Sequence, residues 1–270
     1  MNLFEVAQLN GPIVLANYES SLSTSADKTA ISAFASWVET QGRISINVGL
    51  FVIVRLLNGE PYQNTHEVAE ELSSLSGRPS DDLLQERLKG FYALRMAFDK
   101  FFSEGRRFYY GALNAGGVGL SPYGEYCAIL KWDAVESCEK IAYFPGDTRK
   151  ICIGPEGTFA DATTKLFVPH SHRHYMVAVK QASRISHTES SGWPYLVCGD
   201  ECHFESIFVG RVMLENVDLI RIPHRLYETL FDMAFNAIGT SRTPAERALI
   251  YDFIQLRKAE KNGRIIVELL

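Results

Sequence analysis

Apolar residues recur at three- and four-residue steps through Leu84, Leu88, Phe91, Leu94, Phe98 and Phe101, the spacing that lines one face of an α-helix. This makes 80–105 the clearest predicted helix, with Ser80 as its N-cap and Gly105 as its stop. A second helix is expected from Lys28 to Gly42, capped by Asp27, and a third from Thr65 to Gly77, with Glu67, Glu70 and Glu71 in its early turns. The apolar run from Ile44 to Leu57 is rich in β-branched residues but ends in Asn58-Gly59, a helix C-cap signal. It is read as a buried helix. Residues 1–28 carry no clear period and are read as irregular or strand-like.

The texture changes after Gly105. Tyr109 to Tyr126 reads as strand, glycine-rich turn and strand. KIAYFP, KICIGP, HYMVAVKQA, PYLVCG, FESIFVGRV and DLIRIP are short apolar runs separated by Gly, Pro and Asp, and all six are read as strands. Helical periodicity returns in HRLYETLFDMAFNAIG and in the segment opened by Thr243-Pro244, where proline suits the first helical position. A mainly helical block (28–105), a β-rich core (106–223) and closing helices (224–262) make an α+β protein. No Pro/Gly/Ser-rich linker divides it, so 1–270 is read as a single domain.

With 46% hydrophobic and 22% charged residues, the chain has an ordinary globular composition. Its net charge of −5 argues against a protein that coats nucleic acid by neutralising phosphates; a nucleic-acid contact would be confined to a cleft. The N-terminus lacks a basic segment followed by an apolar run, and no stretch is long enough to span a bilayer. Five irregularly spaced cysteines fit a reducing compartment. A cytoplasmic protein without a membrane partner is expected.

Two segments stand out as chemistry. Between Tyr109 and Tyr126 lie five glycines and four tyrosines. Glycine lets a backbone approach a ligand closely, and tyrosine offers a ring face and a hydroxyl. No Lys-Ser/Thr follows and no helix opens, so neither a P-loop nor a dinucleotide fingerprint is present. The alternative is an aromatic-packed hairpin. In the second segment Glu205 opens an apolar strand, and a short turn leads to a second strand ending at Pro223. An acid at a strand start sits at a sheet rim, where clefts form; the alternative is a solvated glutamate. A third set, His170, His172 and His174 with Cys198, Cys202 and His203, has a Cys-x-x-x-Cys spacing but no matching second half-site. Buried thiols beside surface histidines are the favoured reading of it.

FESIFVGRVMLENVDLIRIP resembles the glutamate-bearing strand pair of the ADP-ribosyltransferase superfamily, in its toxin-like branch that modifies nucleic acids. The Tyr109–Tyr110 strand resembles that family's middle strand, whose aromatic residue faces nicotinamide, and the two motifs come in the family's order. Together they cover about a quarter of the chain. The resemblance implies a split β-sheet core and a glycosyltransferase that consumes NAD. It implies catalytic roles for Glu205 and Tyr110. It implies a cofactor site made by Tyr109, Tyr110, Gly111, Tyr123 and a pyrophosphate-binding arginine. Arg55 is the candidate taken for that arginine, His66 is another, and Arg87 and Arg95 lie on a predicted helix. Arginine-modifying members have Glu or Gln two residues before the catalytic glutamate. His203 stands there instead, which turns the expected acceptor toward another macromolecule, with RNA or DNA among the choices. Such members often act as toxins in toxin–antitoxin or anti-phage defence and are held by an antitoxin or other inhibitory partner.

Other readings stay open. The His/Cys set would serve a metal-dependent hydrolase or nuclease, whereas no metal is expected under the transferase reading. The tyrosine-rich segment would serve a non-catalytic interaction module. Glu125, in the same segment, is an alternative working acid.

Overall fold

The computed structural model describes residues 1–154, 156–199, 202–236 and 242–270. In chain order its elements are α1 (Leu3–Thr24), α2 (Lys28–Gln41), β1 (Arg43–Val48), α3 (Leu50–Leu57), α4 (Thr65–Ser76), α5 (Ser80–Leu88) and α6 (Tyr92–Phe101). Then come β2 (Tyr109–Asn114), β3 (Tyr126–Leu130), β4 (Ile141–Phe144), α7 (Thr148–Ile151), β5 (Val168–Pro169), α8 (Arg173–Ile185) and α9 (Trp193–Val197). β6 (Glu205–Phe208), β7 (Val217–Ile222), α10 (His224–Phe231), α11 (Pro244–Lys261) and β8 (Val267–Leu269) complete the chain.

The eight strands among the described residues join one open sheet in the order β5-β4-β6-β2-β1-β3-β7-β8, antiparallel except for the β7–β8 pair. The α+β class therefore holds, and the strands form one continuous sheet. β1, from the block read as helical, lies at its middle between β2 and β3. The N-terminal block and the β-rich block thus share one sheet.

Antiparallel register puts cross-strand partners on the same face. One face carries Ile44, Ile46, Leu113, Tyr109 and Phe208 into a large core with α2, α8, α9 and α11. The opposite face carries Ala142, Phe144, Ile207 and Tyr110, covered by Phe98 and Phe102 and by the start of α1. Tyr109 and Tyr110 are neighbours in sequence and face opposite ways, as strand alternation requires.

Several expectations are corrected. Residues 3–24 form a helix, capped by Asn2, whose Oδ1 accepts from the Phe4 and Glu5 N–H groups. Gly11-Pro12 does not break it, because this stretch is held by tertiary contacts. Buried Asn10 donates to the Thr164 and Phe167 carbonyls, and a Cβ on Gly11 would lie 3.2 Å from the His172 ring. The run 44–57 is not one helix but strand β1 followed by α3, with Gly49 at the junction. The 80–105 helix is two helices bent at Lys89, which takes φ 48° and ψ −125°. α4 forms where the third helix was expected, and a capping box of Asn64 and Glu67 opens it. α8 and α9 replace the strands read in HYMVAVKQA and PYLVCG. Of KICIGP, Lys150 and Ile151 end α7, Ile153 makes an isolated bridge to Phe159, and position 155 lies outside the described residues. α8 buries His174, Val177, Ala178, Gln181 and Ile185 at helical spacing, so its valines face a core as helical residues. The closing part of HRLYETLFDMAFNAIG, from 237 on, lies outside the described residues.

Candidate functional site

β6, β2 and β1 form the floor of a cavity of about 240 Å³. Glu205 begins β6 opposite Ala112 of β2, and Ser45 of β1 is the next partner across the sheet. These residues, with Asn47 and Tyr110, lie on the face that α5 and α6 roof over. Arg95, Leu88, Tyr62 and Thr65 close the roof side, and Tyr123, Arg149 and His203 form the mouth.

Glu205 is 8% exposed. Its Oε2 accepts the Thr148 N–H at 2.7 Å, and its Oε1 lies 3.5 Å from Arg95 Nη2. Arg95 and Asp99 are one turn apart on α6 and both are buried. The Arg95 guanidinium lies 3.5 Å over the Tyr110 ring. The Tyr110 hydroxyl donates to Asp99 Oδ1, and His66 Nε2 meets Asp99 Oδ2 at 2.8 Å. A connected series of Glu205, Arg95, Tyr110, Asp99 and His66 therefore runs from the cavity into the interior.

Burial works against the Arg95 charge, but Tyr110, Glu205 and Asp99 outweigh it and hold its pKa above the ordinary arginine value. Burial, with the Asp99 carboxylate, keeps the Tyr110 hydroxyl protonated well beyond its usual range. His203 is pushed down by burial against the pull of Glu205 and Asp147, so it is neutral at pH 7.

A second hollow of about 410 Å³ adjoins the first and shares Leu88, Leu120, Tyr123, Arg149 and His203 with it. Arg87, Phe91 and Lys150 line its outer part. Arg149 sits at the junction, with its guanidinium 4.4 Å from the Phe91 ring centre and 5.5 Å from that of Tyr123. Asp147 grips Arg149 through Nε at 3.0 Å and Nη2 at 2.9 Å. Burial opposes ionisation of Asp147, yet these bonds bring its pKa below the usual value. Joined, the two hollows reach the size range of small-molecule sites.

The glycine-rich segment rims the cavity and is tied to the sheet. Asn47 Oδ1 accepts the Leu120 N–H at 2.9 Å, and Asn47 Nδ2 donates to the Gly124 carbonyl at 3.0 Å. Gly119 has φ +82°, and Asn47 fills the space beside it: a Cβ there would stand 2.1 Å from Asn47 Oδ1. Gly111 serves strand packing, since its Cβ would meet the Ser45 carbonyl oxygen at 2.5 Å.

Of the residues singled out in the sequence, Glu205, Tyr110, Gly111, Tyr123, Arg95 and His203 line this one cavity. Tyr109 does not. It stacks on Phe208 on the other sheet face and bonds Glu67. Arg55 does not line it either, because α3 directs its guanidinium to Glu60, 2.6 Å away, and Glu71. Glu125 is exposed and lies outside the lining. The ring face of Tyr110 expected for nicotinamide is covered by Arg95. Arg149, Asp99 and Asn47 were missed. The readable signal for one pair was Arg95-x-x-x-Asp99 set within the apolar stripe of α6.

The histidines do not converge. His170 packs on Trp132, His172 meets Ser171, and His174 packs at a tilt on Tyr175. Among the described residues no group of three His, Cys, Asp or Glu side chains is placed to hold a metal ion. Also among them, no helix is long and apolar enough to cross a membrane. Comparison with protein-family models gives no match, and comparison with curated proteins gives none either.

Proposed function

We propose that this chain is an NAD-dependent ADP-ribosyltransferase that modifies a macromolecule, with Glu205 as its catalytic carboxylate. The observation that carries the reading is a buried strand-start carboxylate in a tyrosine-lined cavity that opens past an arginine into a second hollow. NAD would supply a glycosidic bond whose ribose carbon gains positive charge as nicotinamide departs. A preformed negative charge in a water-poor site stabilises such a centre far more than it would in water.

The chain's own residues take the following parts. Glu205 faces the sugar, and the Thr148 N–H fixes the carboxylate orientation. Tyr62 and Tyr123 are the other tyrosines on the cavity lining and would lie against a base or pyridine, because Arg95 occupies Tyr110. Tyr110 acts as a platform for Arg95 rather than for the substrate. Arg149, not Arg55, is positioned for the pyrophosphate at the joint between the hollows; its fork suits phosphate oxygens. His203, neutral and beside Glu205, suits a proton acceptor for an incoming nucleophile. RNA or DNA is among the acceptor classes that the sequence resemblance implies.

The test is release of nicotinamide from NAD, and transfer of labelled ADP-ribose to nucleic acid or protein, by the whole chain. Both are expected in the native protein and lost in Glu205→Gln. No NAD cleavage by the native protein with any acceptor overturns the reading.

A further inference from the structure

α10 and α11 turn Leu230, Phe253, Leu256 and Ala259 into the large core. The side they leave outward is not simply polar. Phe231 and Phe235 stay 38% and 44% exposed, with ring centres 4.9 Å apart. A π-helical turn over Asp232–Asn236 follows α10 and carries Phe235; such turns are frequent at functional sites. With Ile254 of α11 the two rings line an open groove of about 570 Å³. Tyr251, Ile254, Lys258 and Lys261 follow at three- and four-residue steps, so they share one face of α11, apolar at its start and basic at its end. The charges on the groove lining are Arg257, Lys258, Lys261 and Glu260. Glu260 pairs with Arg257. Among the described residues no carboxylate forms an ion pair with Lys258 or Lys261. Cations suit the last turns of a helix, but that leaves the exposed aromatic pair beside them without a role. An apolar groove with a positive rim thus stands on a chain whose net charge is −5.

We infer that this groove docks an acidic segment of a partner protein. The segment places a bulky apolar side chain against Phe231, Phe235 and Ile254, and sets carboxylates opposite Lys258 and Lys261. Apolar anchors inside a charged rim are how peptides and amphipathic helices are held in grooves. Three other occupants match the groove less well. A second copy of the chain, docked about a two-fold axis, would bring the same lysines toward each other. A membrane surface calls for apolar side chains that protrude into it, and these line a hollow. A single strand of nucleic acid stacks its bases on open ring faces, whereas these rings pack on each other at 46°. The inference stands apart from the reading of Glu205, whose cavity shares none of the described residues that line the groove.

The experiment selects peptides from a displayed library of random sequences on the whole chain, and then measures the enriched peptides in solution by fluorescence anisotropy. Enriched sequences are expected to carry net negative charge and at least one large apolar side chain. Phe235→Ala is expected to weaken their binding by about tenfold or more. Lys258→Glu combined with Lys261→Glu is expected to do the same, and added salt to weaken binding by the native chain. No enrichment, enriched peptides that are neutral or basic, or affinity unchanged in either variant overturns the inference. Should Phe235→Ala fail to fold, the lysine variant decides by itself, since both lysines are exposed. The native chain and Phe235→Ala are also compared on phosphatidylserine vesicles, on a single-stranded oligonucleotide and in sedimentation. Vesicle binding, oligonucleotide binding or self-association that is lost in Phe235→Ala, with no peptide enriched, overturns the inference in favour of that occupant. NAD cleavage plays no part in these readings, so the transferase proposal and this one fail independently.

Discussion

Replacing Glu205 by glutamine changes one charge and almost no volume, so its effects can be worked from the geometry. The amide oxygen can still accept the Thr148 N–H at 2.7 Å, but the attraction to Arg95 Nη2 at 3.5 Å is lost. At an effective dielectric constant of about 20, that attraction is about 5 kcal/mol before desolvation is counted. The same substitution relieves the burial of an ionised carboxylate, which offsets much of it. A net loss of about 1–3 kcal/mol in stability is expected, read as a lower urea midpoint with unchanged slope. Catalysis should suffer more. A carboxylate at a similar distance from a developing positive centre contributes about 3–4 kcal/mol, or roughly 10²–10³ in kcat. Nicotinamide release under saturating NAD measures the second effect and urea unfolding the first. If the urea midpoint falls while kcat stays within about threefold of the native value, Glu205 is an anchor for Arg95 and Thr148 and not a catalyst.

Other expectations follow from the same geometry. Arg149→Gln should raise KM for NAD by about tenfold and leave kcat nearly unchanged, because it removes binding common to ground and transition states. Asp99→Ala strands Arg95, Tyr110 and His66 without their shared acceptor, and should lower stability by about 3–5 kcal/mol in urea unfolding. Gly119→Ala forces a Cβ to 2.1 Å from Asn47 Oδ1 at φ +82°; it should lose about 2–4 kcal/mol and loosen the cavity rim, seen as faster amide exchange over 118–124. His174 is lowered from 6.5 to about 4 by burial, so the unfolded chain takes up its proton at higher pH than the folded one. Its contribution to stability is complete above about pH 6.5, fades as the pH falls toward about 4, and totals roughly 3 kcal/mol. In His174→Gln the melting temperature should fall less steeply over that range.

The parts of this fold legible in the sequence are those where local and tertiary preferences agree. α4 and α11 carry caps, charge placement and period together, and β2, β3, β6 and β7 are short β-rich runs bounded by turn residues. The misread parts are those where packing overrules a local sign. α1 contains Gly11-Pro12, and only the contacts of Asn10 and Gly11 with distant segments explain why it continues. The uninterrupted period of 80–101 hides the bend at Lys89, because a kink between two helices can preserve which residues face inward. In α8, Val177 and Val179 suggest a strand, but His174, Gln181 and Ile185 fall on the helical stripe. The site divides in the same way. Glu205 and Tyr110 were found because a strand start and a strand period place them. Arg149 was not singled out, because it follows a short turn, and Arg95, set aside as a helical residue, is brought to Glu205 only by the packing of α6 on the sheet.

The ends of the sheet bear on how the protein behaves in a crowded solution. An unpaired strand edge invites other chains to add to it. Here β5 is two residues long and ends in Pro169, which has no N–H to donate, and α1 packs alongside it. At the other end β8 is three residues long and carries Glu268, paired with Arg221. Neither margin offers the long, flat template that seeds fibrils, so the stickiest element of the fold is finished off at both borders.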